Sequence, residues 1–296
     1  MKNGSLREVI KAYAEGHSEP YTNPGGSLYF DGDVLYSYGQ HFPLAVRLKD
    51  GNYLLNGDRY SSTTAKHQSY TMQEIHNSRR VEIPFSALAE IHKMSHFSRG
   101  YNVDEIRSIR LVDWENDTYL DSGRVNKDGE VIYIHVLGGC VMEYKGHKYL
   151  SGMDETGTAQ GRYFLTQLVD DEVDTVVKAL ESLKPEVVKI AEEKSIQVLR
   201  QGEWFFIPVG ECELVLGEMK KDYVLPTMTG DSGHHKASEG TTWEGRHYVK
   251  GIIKHTQGDH KQVKLYEVGT KAKDRKWYSA HHNVQVMSFN AVGNVD

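Results

Sequence analysis

The spacing of hydrophobic positions changes along the chain, and each change marks an element. Leu6, Val9, Ile10 and Tyr13 recur at helical spacing after the capping box Ser5-Leu6-Arg7-Glu8, and Gly16 ends the run. Residues 17–26 carry Pro20, Pro24, Gly25 and Gly26 and read as a loop. The period then falls to two. Ser27–Phe30 and Val34–Tyr38 flank Asp31-Gly32-Asp33, and Leu44–Leu48 and Asn52–Asn56 flank Lys49-Asp50-Gly51, which predicts two hairpins. Arg59–Thr64 is expected to add a fifth strand to this antiparallel meander.

Helical spacing returns after Pro84 with Phe85, Leu88, Ile91 and His92, out to about His96. Ile106–Trp114 reads as a strand. Asp128-Gly129 joins Tyr119–Val125 to Val131–Leu137, Lys145-Gly146 joins Val141–Tyr144 to His147–Ser151, and Arg162–Val169 follows. Val173, Val176, Val177, Leu180 and Leu183 then predict a helix, and Pro185 opens a second through Val187, Val188, Ile190 and Ala191. Strands are expected again at Ile196–Leu199, Trp204–Val209, Arg246–His255, Lys261–Val268 and Val284–Phe289, with Pro226–Gly245 left unpatterned. The expected class is α+β. An N-terminal α+β domain (1–169) opens with a helix and the antiparallel meander, a helical connector spans 170–195, and a basic all-β domain covers 196–296.

Composition bounds the possibilities. Of 296 residues, 39% are hydrophobic and 26% charged; the mean hydropathy is −0.57. No apolar run approaches the roughly 20 residues that span a bilayer, and the N-terminus reads as an amphipathic helix, not as a secretory signal. A cytoplasmic protein without a membrane partner is expected. Cys140 and Cys212 form no CxxC pair or disulfide framework and read as buried thiols in a reducing compartment. Charge adds an asymmetry. Residues 220–282 hold twelve Lys and Arg against seven Asp and Glu, a net of +5, so the remainder of this chain of net −6 carries −11. Such a segment suits a polyanion-facing surface. It also holds seven of the fifteen histidines.

No phosphate loop, dinucleotide GxGxxG, GxSxG elbow or HExxH is present, so the large nucleotide-binding and hydrolase classes lose their strongest signals. Tyr36–Pro43 and Asp58–His67 instead bring His41 and His67 just beyond predicted strands, among hydroxyls and with Arg59 and Lys66 nearby. Two imidazoles brought together divide acid and base work across a phosphodiester while a cation stabilises the developing charge. The plainer reading makes them backbone-satisfying residues. Thr64-x-x-His67 with His282-Asn283 has the outline of an autoprocessing domain, but no Cys or Ser begins the chain and Val284 follows Asn283. His92-x-x-x-His96 has metal-ligand spacing but sits within an apolar stripe.

A second cluster is C-terminal: His234, His235, His247, His255, Asp259, His260, His281 and His282. His255, Asp259 and His260 fall in one turn and would suit a divalent metal such as zinc or manganese. Tyr248 between Arg246 and Lys250, with Lys236 and Lys254 nearby, suggests base stacking with phosphate contacts. The aromatics are equally good strand formers.

The segments Arg200–Pro208, Tyr38-Gly39-x-His41-Phe42-Pro43 and Thr63-Thr64-x-x-His67 resemble an uncharacterised group of bacterial and phage proteins. That resemblance implies a bacterial or mobile-element setting and no activity. The expected function is that of a nucleic-acid-directed protein, a phosphodiesterase or nuclease with His41, His67, Lys66 and Arg59 at its centre, acting on RNA or DNA bound by Lys236, Arg246, Tyr248, Lys250 and Lys254. The alternatives are a non-enzymatic binding or regulatory module of the host-takeover type and a metal-dependent enzyme built on the C-terminal histidines.

Overall fold

Hydrophobic burial on both faces of one sheet organises the N-terminal half. The structure is a computed structural model that describes residues 2–58, 61–83, 85–92, 103–115, 118–125, 129–136, 138–153, 163–210, 218–226, 235–255, 262–285 and 287–290. Two compact units divide the chain. Unit 1 comprises Met1–Met153, Arg162–Leu180 and Gln285–Asp296, and unit 2 comprises Asp154–Gly161 and Glu181–Val284. The class is α+β with antiparallel sheets dominant and a sheet-rich C-terminal region. Among the described residues no helix is long and apolar enough to cross a membrane.

Unit 1 begins with β1 (Lys2–Asn3), α1 (Leu6–Ala14), β2 (Tyr21–Thr22), β3 (Leu28–Asp31), β4 (Val34–Ser37), β5 (Pro43–Arg47), β6 (Tyr53–Asn56), α2 (Ser62–Glu74) and β7 (Arg80–Ile83). The capping box of α1 is present, with Ser5 N donating to Glu8 Oε2 at 2.7 Å and Ser5 Oγ accepting from Glu8 N at 3.3 Å. The seven strands form one sheet in chain order, antiparallel from β2 to β6 and parallel at both ends. Strands β4 to β6 are apolar on both faces. Leu28, Phe30, Leu35, Tyr53 and Leu55 pack against Val9, Ile10 and Tyr13 of α1. Val34, Val46 and Leu54 face a second core with Met142, Tyr149 and Leu165.

That second core is closed by α3 (Phe85–His92), α4 (Val103–Arg107), β8 (Arg110–Glu115), β11 (Gly139–Tyr144), β12 (His147–Met153) and β13 (Tyr163–Gln167). Between β8 and β11, β9 (Thr118–Val125) and β10 (Val131–Val136) form a separate hairpin. Helix α5 (Val176–Ser182) begins here, with Val176 N donating to Asp113 Oδ2 at 2.8 Å. Cys140 is buried, and burial pushes its thiol up to about 12, so it is an inert core group. Cys212 lies outside the described residues.

Unit 2 contains α6 (Glu186–Glu193), β14 (Leu199–Gln201), β15 (Trp204–Pro208), β16 (Lys220–Val224), β17 (His235–Trp243), β18 (Arg246–His255), β19 (Val263–Lys264) and β20 (Tyr278–His282). The sheet order is β14-β15-β20-β18-β17-β16, with β19 also paired to β18. One face buries Phe206, Val249, Ile253 and Ala280; the other covers Phe205 and Ile207 with Val188 and Ala191 of α6. The last strand, β21 (Met287–Asn290), pairs with β13 in unit 1.

Several elements differ from expectation, each for a local reason. Of the fifth strand expected at Arg59–Thr64, the described residues Ser61–Thr64 open a helix instead. Ser61 is an N-cap whose Oγ accepts from Thr64 N at 3.2 Å, and Ser62–Glu74 is the crossover helix joining parallel β6 and β7. Its hydroxyl-rich start mimics strand propensity. Ile106 lies in α4, ahead of the strand expected from it. His235–Trp243, read as part of an unpatterned stretch, is a nine-residue strand, whereas Lys261–Val268 shrinks to β19. The strand expected at Ile196–Leu199 begins at Leu199.

Buried polar bonds tie α2 and α3 to the sheet. Gln68 Nε2 donates to the carbonyls of Asn56 and Asp58 at 2.7 and 2.8 Å. The fully buried Asp58 carboxylate accepts from Ser86 N at 2.7 Å and Ser86 Oγ at 2.6 Å, in the first turn of α3. Asp58→Ala leaves two buried donors without that acceptor. It should cost about 3 kcal/mol in urea unfolding; a loss within measurement error would show that this contact does not hold α3.

Candidate functional site: a histidine-lined recess in unit 2

Pairing of three strands brings remote histidines to one end of the unit 2 sheet. Trp204 on β15 sits opposite His282 on β20, and Ala280 sits opposite both Phe206 on β15 and His247 on β18. The alternation of side chains places Trp204, Phe206, Ala280, His282 and His247 on the same face. Trp204 is buried, and both imidazoles meet its ring edge-on, His282 at 5.0 Å and His247 at 6.1 Å between centroids. Around them opens a recess of about 360 Å³, lined also by Pro185, Pro226, Gly245, Arg246 and His281. It is a pocket of the size and mixed lining that small ligands use.

Each imidazole is held by one nitrogen. Tyr223 Oη lies 2.6 Å from His247 Nδ1 and 2.6 Å from Thr242 Oγ1. With the phenol donating to Thr242 and accepting from Nδ1–H, His247 keeps its lone pair on Nε2. His282 Nδ1 donates to the carbonyl of Asn283 at 3.0 Å. Ser279 Oγ donates to the Ile207 carbonyl at 3.4 Å, so its contact of 2.9 Å with His281 is accepted from Nε2–H. Tyr223 reaches His247 because its ring lies over Gly240, where an added Cβ would fall 2.4 Å from the ring.

Electrostatics separates the rings. Burial pushes the His247 imidazole below its ordinary value, and burial with the charge of Arg246 does the same to His281. Burial works to raise the Glu203 carboxyl, but the hydrogen bond and charge of His235, with a further contribution from His282, hold it at about 2. Glu203 Oε1 lies 3.3 Å from Nδ1 of the buried His235. Arg246 is exposed at the rim.

The residues singled out in the sequence fall in different places. His67 is not beyond a strand end. It lies within α2, 1% exposed, with Nδ1 2.9 Å from Ser37 Oγ and its ring beneath Tyr38. The helix at Ser62–Glu74 buries this ring against the Ser37 side chain. His41 is half-buried beside Gly39. Lys66 is exposed on α2, and Arg59 lies outside the described residues. So do Asp259, His260 and the side chain of His255, and also His96, His234 and the side chain of His92. Among the described residues no group of three or more His, Cys, Asp or Glu is arranged to hold a metal ion. Tyr248 is buried in the sheet, which removes its ring as a free stacking face. Lys236 pairs with Asp222 at 3.3 Å, Lys250 lies 5.7 Å above the Trp277 ring, and Lys254 is exposed. Of the expected nucleic-acid contacts, only Arg246 lines the recess.

No family model, curated protein or solved structure matches the chain.

The depressed imidazoles have a consequence for stability. The unfolded chain binds protons at His247 and His281 near the ordinary value of 6.5, and the folded unit binds them only at lower pH. Stability must therefore fall as pH drops below about 6.5. The Glu203 carboxyl, held at about 2 against an ordinary 4.5, contributes stability that is lost only below 4.5. Comparing melting temperatures at neutral pH and just above the Glu203 window should show a drop. That drop should shrink in His247→Gln/His281→Gln, and an unchanged drop in the double variant would contradict the assignment.

Proposed function

We propose that the unit 2 recess binds and cleaves the phosphodiester of a nucleic acid, with His247 and His282 dividing the proton work. The observation that carries this reading is the placement of both imidazoles against Trp204, in one recess with Arg246 at its rim. The net charge of +5 over residues 220–282 suits a polyanion.

The roles follow from the surroundings of each ring. His247 stays neutral at physiological pH because burial disfavours its cation, and its free Nε2 serves as base. It takes the proton of an attacking hydroxyl as the new O–P bond forms. His282 donates its Nδ1–H to the Asn283 carbonyl, which leaves Nε2 to carry the proton it gives. Its Nε2–H then protonates the leaving oxygen as the old P–O bond breaks. Two like groups in unlike surroundings make an acid and a base. Arg246 pairs with the nonbridging phosphate oxygens.

The test is cleavage of end-labelled single-stranded RNA and DNA by the full chain. His247→Ala and His282→Ala should each slow it by about 100-fold or more, and Arg246→Gln should raise KM. Undiminished cleavage in both histidine variants, or no cleavage by the wild type, would overturn the reading.

A further inference from the structure

Unit 1 carries a surface that the recess does not use. The loop after β4 holds Tyr38 at φ +61°, a left-handed conformation that a bulky side chain adopts only at a cost of roughly 1–2 kcal/mol. Gly39 follows at φ +152°. The strained backbone does not bury the ring. Tyr38 is 54% exposed, stacked at 5.9 Å and 29° on His67 of α2. His67 is itself held by Ser37, whose Oγ lies 2.9 Å from its Nδ1. The Ser37–His67 bond thus makes a rigid base for an aromatic face turned to solvent.

Helix α2 carries one cation next to His67 in sequence, and α1 brings a second to the same Tyr70 ring. Lys66 precedes His67, and its Nζ lies 5.7 Å from the Tyr70 ring centroid. Arg7 of α1 lies 5.2 Å from the same ring. Both cations are exposed, and among the described residues neither pairs with a carboxylate. Helix α2 has no acidic residue in its first turn; its only acid is Glu74 at the last position. Two like charges gathered on one ring repel each other and are relieved by an anion. An exposed ring beside unpaired cations is what single-stranded nucleic acid uses, with a base on the ring and phosphates on the cations.

We propose that Tyr38, Lys66 and Arg7 form a binding surface for single-stranded nucleic acid on unit 1. This inference does not rest on the reading of the recess. Tyr38 stacks a base, and Lys66 and Arg7 meet successive phosphates. His67 and Ser37 are positioning residues that hold the tyrosine.

The experiment is fluorescence anisotropy of the full chain with a labelled oligouridylate of about 12 nucleotides, within the site sizes of such surfaces, titrated across salt. Tyr38→Ala should weaken binding roughly tenfold, the scale of one stacked base, and Tyr38→Phe should retain it. Arg7→Gln/Lys66→Gln should lower the salt slope by about 1.4. Tyr38→Gly removes the ring while relieving the backbone, so weakened binding without lost stability separates recognition from folding. Unchanged affinity in Tyr38→Ala and in the double variant overturns the proposal. So does absence of oligonucleotide binding, or preferred binding of an acidic peptide, read by polyglutamate competition. Cleavage lost in the His247 and His282 variants with this binding intact identifies two separate sites; binding through Tyr38 without any cleavage leaves this surface standing and the recess reading failed.

Discussion

The pairing of Trp204 with His282 across two antiparallel strands is the constraint on which the unit 2 site depends. Sheet register has a period of two, so a slip by one residue would carry His282 to the opposite face. It would also put Phe205 where Trp204 is buried. The hydrophobic demand of Trp204, Phe206, Val249 and Ala280 for one core therefore fixes where His247 and His282 emerge. Chemistry at the rim is positioned by apolar burial beneath it. Gly240 adds a second condition, because only a residue without Cβ lets Tyr223 lie across the sheet and hold His247.

Unit 1 uses polar bonds for an equivalent purpose. Its sheet is apolar on both faces, and helices on one side face a second sheet on the other. The connections that run over it need buried acceptors and donors. Asp58, Gln68, Ser37 and His67 supply them. The result is a scaffold on which the strained Tyr38 is held at the surface. Among the described residues, two features share a basic and aromatic character: the recess around Arg246 and the face around Lys66.

Much of the architecture was legible in the order of residues because local signals agreed. The capping box at Ser5, the turns at Asp31-Gly32 and Lys145-Gly146 and the helix after Pro185 form where their spacing places them. The crossover helix was hidden because Ser61 through Thr64 carry hydroxyls that suit a strand and an N-cap alike. Strand β17 was hidden because its small and polar residues follow a stretch of sequence of similar composition. The recess was only half legible. The C-terminal histidines stood out as a group, and Arg246 as a contact, but which imidazoles meet depends on a register that no local pattern encodes. His67 was hidden differently: its place inside α2, buried against Ser37, depends on the helix that the hydroxyl-rich start concealed.

We propose that the imidazoles of His247 and His282 share one phosphodiester site, in a recess that His281 also lines. Histidine ring resonances followed by NMR while a dinucleoside monophosphate is added would test it most directly. The account predicts saturable shifts at His247, His281 and His282 that vanish in Arg246→Gln. Unmoved resonances at these three rings, with shifts confined to histidines elsewhere in the chain, would contradict it.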